Sequence, residues 1–151
     1  ETDGIDLEVS GALTPDWNLY AGYTYLHLRR LNADGRSDPS HLFKASTTYR
    51  LSGDLDRLTL GTGVTAQTNI RVTSTPAGAP TNGVSRGPTD VNWSGYAIWN
   101  AMVDYRIDEH WNLTLNATNL EDKTYYTTCL ARGDCFIGNR RTLVGTLAYN
   151  F

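Results

Sequence analysis

Large apolar residues recur at every second position over most of the chain, with small polar ones between them. In 111–120 (WNLTLNATNL), Trp111, Leu113, Leu115 and Ala117 share one face, while Asn112, Thr114, Asn116 and Thr118 share the other. In 95–107, Ala97, Trp99, Ala101, Val103, Tyr105 and Ile107 stand against Asn100, Asp104 and Arg106. Segments 3–13, 17–28, 41–51, 57–67 and 141–151 behave alike: Ile5, Leu7 and Val9 oppose Asp6 and Glu8, and Leu143, Leu147, Tyr149 and Phe151 oppose Thr142, Thr146 and Asn150. A period of two predicts β-strands with one apolar and one polar face. The expectation is an all-β chain of seven antiparallel strands, each of about ten residues.

Charge distinguishes the two settings such strands suit. Asp6, Glu8, Lys44, Arg50, Asp104 and Arg106 all lie on the polar face, whereas the apolar face carries only Arg141, at the start of its strand. Small residues (Gly11, Ala21, Thr47, Thr62, Ala101, Ala117, Gly145) interrupt the apolar face. An opposing protein sheet needs interdigitating Val, Ile and Leu and would pack these gaps poorly. Lipid chains fill them.

The connections point the same way. TPD (14–16), SGDLD (52–56) and DEH (108–110) are tight turns rich in Pro, Gly and Asp. They alternate with longer links at 29–40, 70–94 and 121–140, so the long links gather at one end of the sheet, as in transmembrane β-barrels. Beside the tight turns, on the apolar face, stand Trp17, Tyr49, Tyr105, Trp111, Tyr149 and Phe151, placed as an interfacial girdle. A looser second band holds Tyr23, Tyr25, Phe43, Trp93 and Trp99. The chain stops in mid-strand on Phe151, read as part of the lower girdle. Seven strands leave two unpaired edges, each costly in lipid, so the pattern describes part of a barrel whose remainder is expected before residue 1.

Composition adds limits. Among 151 residues there are 9 Tyr and 4 Trp against 3 Phe, a skew toward rings with one wet end. A net charge of −3 argues against a nucleic-acid partner. The sequence opens Glu-Thr-Asp, reading as a processed chain or a fragment. Cys129 and Cys135, in CLARGDC, are spaced to close a small disulfide loop in an oxidising compartment, the alternative being two free thiols. His27, His41 and His110 are dispersed, and the sequence offers neither a catalytic constellation nor metal-ligand spacing.

Several stretches resemble one family. DGIDLEVSGALTPDWNLYAGYTYL (3–26), PSHLFKASTTYRL (39–51), LTLGTGVTAQT (58–68) and above all LTLNATNLEDKTYY (113–126) are similar to strands of TonB-dependent siderophore receptors. Two departures stand out: Glu121 replaces a usual Phe, and Arg140 in GNRR (138–141) sits where that family often has Pro. The resemblance implies the last seven strands of a barrel of about 22. The whole of 1–151 would be one C-terminal barrel segment, without the plug domain and TonB-contacting segment.

It further implies an outer-membrane receptor of a Gram-negative bacterium that imports a ferric siderophore, energised through TonB, with no cofactor of its own. Its other partners would be outer-membrane lipid and, through the last strand, the barrel-assembly machinery. Polar inward residues near the loop end (Lys44, Gln67, Asn69, Tyr96 and Arg140) are the candidate ligand contacts, with Trp93 to stack on an aromatic chelate, and loop residues Arg29, Arg30, Arg71, Arg86 and Arg132 would attract an anionic one. The alternatives are a passive channel or structural barrel and, from Arg132-Gly133-Asp134, an adhesin.

Overall fold

The structure, a computed structural model, describes residues 2–28, 39–74, 89–129 and 135–151. Among these residues eleven strands form: β1 Thr2–Thr14, β2 Trp17–Leu28, β3 His41–Arg50, β4 Leu58–Gln67, β5 Ile70–Ser74, β6 Thr89–Trp93, β7 Tyr96–Arg106, β8 Trp111–Thr118, β9 Tyr126–Cys129, β10 Cys135–Ile137 and β11 Thr142–Tyr149. Seven of them make one antiparallel sheet in the order β1-β2-β3-β4-β7-β8-β11. These are the seven strands expected from the alternation. Their neighbours in the sheet are their neighbours in the alternating pattern: tight turns impose this on β1–β2, β3–β4 and β7–β8, and the pairs joined by the long links follow the same order.

Register carries the pattern across the whole sheet. One hydrogen-bonded row runs Trp17, Tyr49, Leu60, Val103, Leu115, Gly145. The next row, on the opposite face, runs Thr48, Gly61, Met102, Asn116, Val144. A slip of one residue in any pair would exchange the faces, and within β2 to β11 every pair of the seven-stranded sheet holds its register. In this sheet the register shifts once, at a bulge between Ala12 and Thr14 beside the Pro15-Asp16 turn, and the β9–β10 hairpin shifts between Phe136 and Ile137.

The sheet has almost no interior. Among the described residues the buried apolar and polar side chains are Ile70, Ile98 and Asn119, while Leu7, Val9, Leu115, Leu147 and Leu143 are about half to three-quarters exposed. A soluble domain of this length would bury most such residues. Here one whole apolar face is open.

The girdle residues lie on a diagonal. Trp17 and Tyr49 share a row that meets β11 at Gly145, whereas the ring of β11 is Tyr149, opposite Trp111. From Tyr49, four strand steps to β11 therefore displace the ring line by four residues. With ~3.4 Å per residue and ~4.8 Å between strands, a plane crosses strands at that slope when they tilt by about 35°. Membrane barrels tilt by roughly 35–45°. Neighbouring rings touch along the line: Trp17 and Tyr49 edge-on at 6.5 Å, Trp111 and Tyr149 at 4.8 Å, Tyr149 and Phe151 edge-on at 5.2 Å.

Three expectations need amendment. The links 70–94 and 121–140 contain hairpins, β5–β6 and β9–β10. β5–β6 keeps the register of β4–β7 across a break: Gln67 faces Tyr96, and Ile70 faces Trp93. The tight link 52–56 holds a single 3-10 turn, Gly53–Leu55, whose Gly53 takes a φ of +69° that disfavours other residues. The last strand ends at Tyr149 rather than running to the terminus. Asn150 still donates its N–H to the His110 carbonyl at 2.8 Å, and Phe151 continues only as a ring.

Candidate ligand wall at the loop end

The polar face collects its chemistry at two levels. Near the tight turns, Arg50 pairs with Asp16 through its Nε, 2.7 Å from Oδ1. Asp104 accepts from Asn112 Nδ2 at 2.8 Å and Thr114 Oγ1 at 2.6 Å. Arg57 donates to the Ile107 carbonyl at 2.7 Å. Asp108 caps its own turn, accepting the N–H groups of His110 and Trp111 at 2.8 Å each, and these two donors hold its carboxyl below the usual range. Arg50, Arg57, Asp104, Asp108 and Asn112, together with Arg106, line a polar recess of about 350 Å³.

The loop end is built differently, around the segment 119–125. Asn119 is 2% exposed and has a φ of 53°, a conformation Asn tolerates better than most residues. Its Nδ2 donates to the carbonyls of Lys123 (2.7 Å) and Asn139 (3.0 Å), and its Oδ1 accepts the Lys123 N–H (2.8 Å). Its own N–H donates to Asn100 Oδ1 on β7 at 3.1 Å. One side chain thus satisfies three backbone groups that would otherwise be stranded.

Asp122, also left-handed at φ 54°, closes the corner. It accepts both Nε (2.9 Å) and Nη2 (2.6 Å) of Arg140, and the Arg141 N–H at 2.9 Å. The fork of Arg140 and that N–H hold the Asp122 carboxyl far below the usual carboxylate range, and the carboxylate in turn raises the Arg140 guanidinium. The start of β11 is thereby pinned to the end of β8.

The candidate residues divide accordingly. Gln67 and Tyr96 are opposed across β4 and β7. Asn69 Nδ2 donates to Asn92 Oδ1 at 3.1 Å, and Trp93 packs on Ile70. The structure thus opposes Gln67 to Tyr96, while Asn69 and Trp93 follow at the base of β5–β6, Trp93 three residues along the same register from Tyr96. Lys44 lies on the same face of β3, opposite Thr65 of β4, one alternation further from the loops. Arg140 stands apart as the partner of Asp122. Arg71 lies in β5 opposite Asn92, while Arg29, Arg30, Arg86 and Arg132 fall outside the described residues. Cys129 and Cys135 are directly opposed in β9–β10.

Alternation along strands could not reach Tyr125, whose ring lies 4.4 Å from that of Tyr96, nor Asn92, because both stand outside the seven long strands. The only hint of the Asn119–Asp122 corner was the segment NLEDKTYY. His41, on the apolar face, sits among rings: its Nδ1 is 2.7 Å from the Tyr23 hydroxyl, and Tyr25 lies 5.0 Å away. Among the described residues no cluster of His, Cys, Asp and Glu could hold a metal.

Comparison with known proteins gives this wall its setting. The ferric-pyoverdine receptor PbuA of a Pseudomonas strain is 39% identical over 98% of this chain and 18% of its own length. The ferric-pyoverdine 358 receptor of Pseudomonas putida is 35% identical over 100% of this chain and 17% of its own. The solved structure of the outer-membrane ferripyoverdine receptor of Pseudomonas aeruginosa, bound to ferripyoverdine, superposes with a TM-score of 0.86 at 29% identity, covering 99% of this chain and 19% of that one. This chain thus spans about a fifth of the length of the relatives it matches. Residues 1–120 match the family described as "TonB dependent receptor-like, beta-barrel". The chain belongs to that family of TonB-dependent receptor β-barrels of the Gram-negative outer membrane.

Proposed function

We propose that this chain forms part of the barrel wall of a receptor that takes up a ferric siderophore of the pyoverdine class, energised through TonB. One observation carries the reading: the same register that turns Leu60, Val103 and Leu115 outward opposes Gln67 and Tyr96 at the loop end of the inner face, with Asn69 and Trp93 at the base of the hairpin just beyond them. Named relatives that span the whole chain are ferric-pyoverdine receptors. The reading calls for a ferric chelate with polar atoms and an aromatic group. Rings with amide neighbours supply stacking and hydrogen bonds to it, and Lys44 adds a positive charge deeper on the same face.

On this reading 1–151 is the C-terminal barrel segment, and upstream strands pair with the open edges of β1 and β11 to close the barrel. Lipid covers the face of Leu7, Val103, Leu115 and Leu147. The diagonal from Trp17 to Phe151 marks the membrane surface on the tight-turn side, and β11 presents the segment read by the barrel-assembly machinery. The plug, supplied by upstream sequence, meets the polar recess around Arg106. Cys129 and Cys135 form a disulfide across β9–β10, where their opposed register brings the two backbones together. The protein performs no catalysis.

The test is growth under iron limitation on a panel of ferric chelates, in a strain whose uptake depends on the receptor carrying this segment. Uptake of ferric pyoverdine should collapse on removal of TonB and fall about tenfold or more for Trp93→Ala combined with Tyr96→Ala. Uptake that persists without TonB would instead indicate a passive channel.

A further inference from the structure

We infer that the loop ends of β4–β7 and β8–β11 are one mechanical body, with Ile70, Tyr125 and Gly138 as the residues that position each loop on the other. This stands on packing alone and does not need the transport reading. Ile70 is 3% exposed, and its neighbours come from both loops: Trp93 from its own hairpin and Cys135 from the other. A second contact lies beside it, where the ring of Tyr125 meets that of Tyr96, centroids 4.4 Å apart and planes at 50°.

Tyr125 is itself held from behind. Gly138 is buried and donates its N–H to the Tyr125 carbonyl at 2.8 Å. A Cβ built on Gly138 would fall 2.1 Å from Tyr125 Cζ, well inside van der Waals contact. Only glycine lets that ring lie against the backbone of 138. The position fixes the ring, and the ring abuts Tyr96.

Both loops are also anchored at their bases. In the first, Gly95 approaches the backbone of 67–69 so closely that a Cβ would sit 2.4 Å from the Gln67 carbonyl oxygen. At the same break Thr68 turns to β3, its N–H donating to the His41 carbonyl at 3.1 Å and its Oγ1 accepting the His41 N–H at 3.1 Å. In the second, Leu120 donates to the Trp99 carbonyl at 2.9 Å, and Asn119 accepts and donates as described. Neither loop can shift at its base without disturbing β7, which both share. Trp93 and Tyr96 of the first loop are therefore placed in part by residues of the second, Cys135 through Ile70 and Tyr125 directly.

Hydrogen exchange on the intact receptor, without any chelate, tests this. Ile70→Ala should accelerate exchange about tenfold or more at 123–129 and 135–139, as well as at 70–74 and 89–93, with β1 to β3 unchanged. Gly138→Ala should act in the other direction, raising exchange at 70 and 92–96 as Tyr125 is displaced. Ile70→Val, which keeps the contact, should leave the second loop at its original rate. If Ile70→Ala loosens only 70–74 and 89–93, and Gly138→Ala only 123–139, the two loops are independent and the inference is wrong.

Discussion

The middle of the sheet and its loop end obey different rules of burial. In the middle, Leu60, Val103 and Leu115 stand side by side across β4, β7 and β8, and all remain more than a third exposed. At the loop end, Ile70 and Asn119 are enclosed. The first region is held by its backbone ladder and waits for an apolar solvent. The second builds a small interior from its own side chains, as a water-soluble fold does, and satisfies its polar groups internally. One chain thus meets two solvents, and the change falls where the long strands end.

The contrast can be broken most severely in the middle. Leu115→Arg should cost about 2–4 kcal/mol of folding stability in lipid vesicles, measured by reversible denaturation of the intact receptor. Asn116→Arg, one residue away on the other face, should cost little. Equal costs at the two positions would refute the division of faces.

At the loop end the sharpest probe is Asn119→Ala. It strands the Lys123 N–H and the carbonyls of Lys123 and Asn139, and it leaves a left-handed residue without the side chain that favours that conformation. A local loss of about 2–3 kcal/mol is expected, read as faster exchange at 119–125 and 138–141 with the central strands unaffected. Asn119→Asp keeps the acceptor, loses the two donated bonds, and should fall between.

The smallest effect concerns pH. Because the folded Asp122 carboxyl titrates below its ordinary range, its charge-dependent contribution is fully present above that range, declines as the pH falls through it and is gone only well beneath it. Exchange at 138–141 should therefore lose protection gradually, keeping part of it at pH values where ordinary carboxylates are already protonated. Asp122→Asn should remove this protection already at neutral pH. Protection that fades with an ordinary aspartate profile would mean Arg140 does not hold the carboxylate in solution.

Arg140 shows what strand alternation can and cannot read. Its position after Gly138 and Asn139 marked it as a loop-end cation, and that is where it lies. Its partner, 18 residues earlier, was invisible, because Asp122 lies in a turn with no period. Gln67 and Tyr96 were placed on the polar face by parity, yet that they oppose each other depends on which strands pair and in what register. The hairpins inside 70–94 and 121–140 were missed because five-, four- and three-residue strands are too short to show alternation.

The amino-acid order by itself settled the class of structure, the seven long strands, the two faces and the alternation of short and long connections. These follow from a period of two and from turn chemistry, both local properties. Tertiary structure decided the diagonal of the rings, the Asn119–Asp122–Arg140 corner and the contact of one loop with the other through Ile70 and Tyr125. Each of those depends on groups far apart in the chain meeting at fixed distances, which no local pattern encodes.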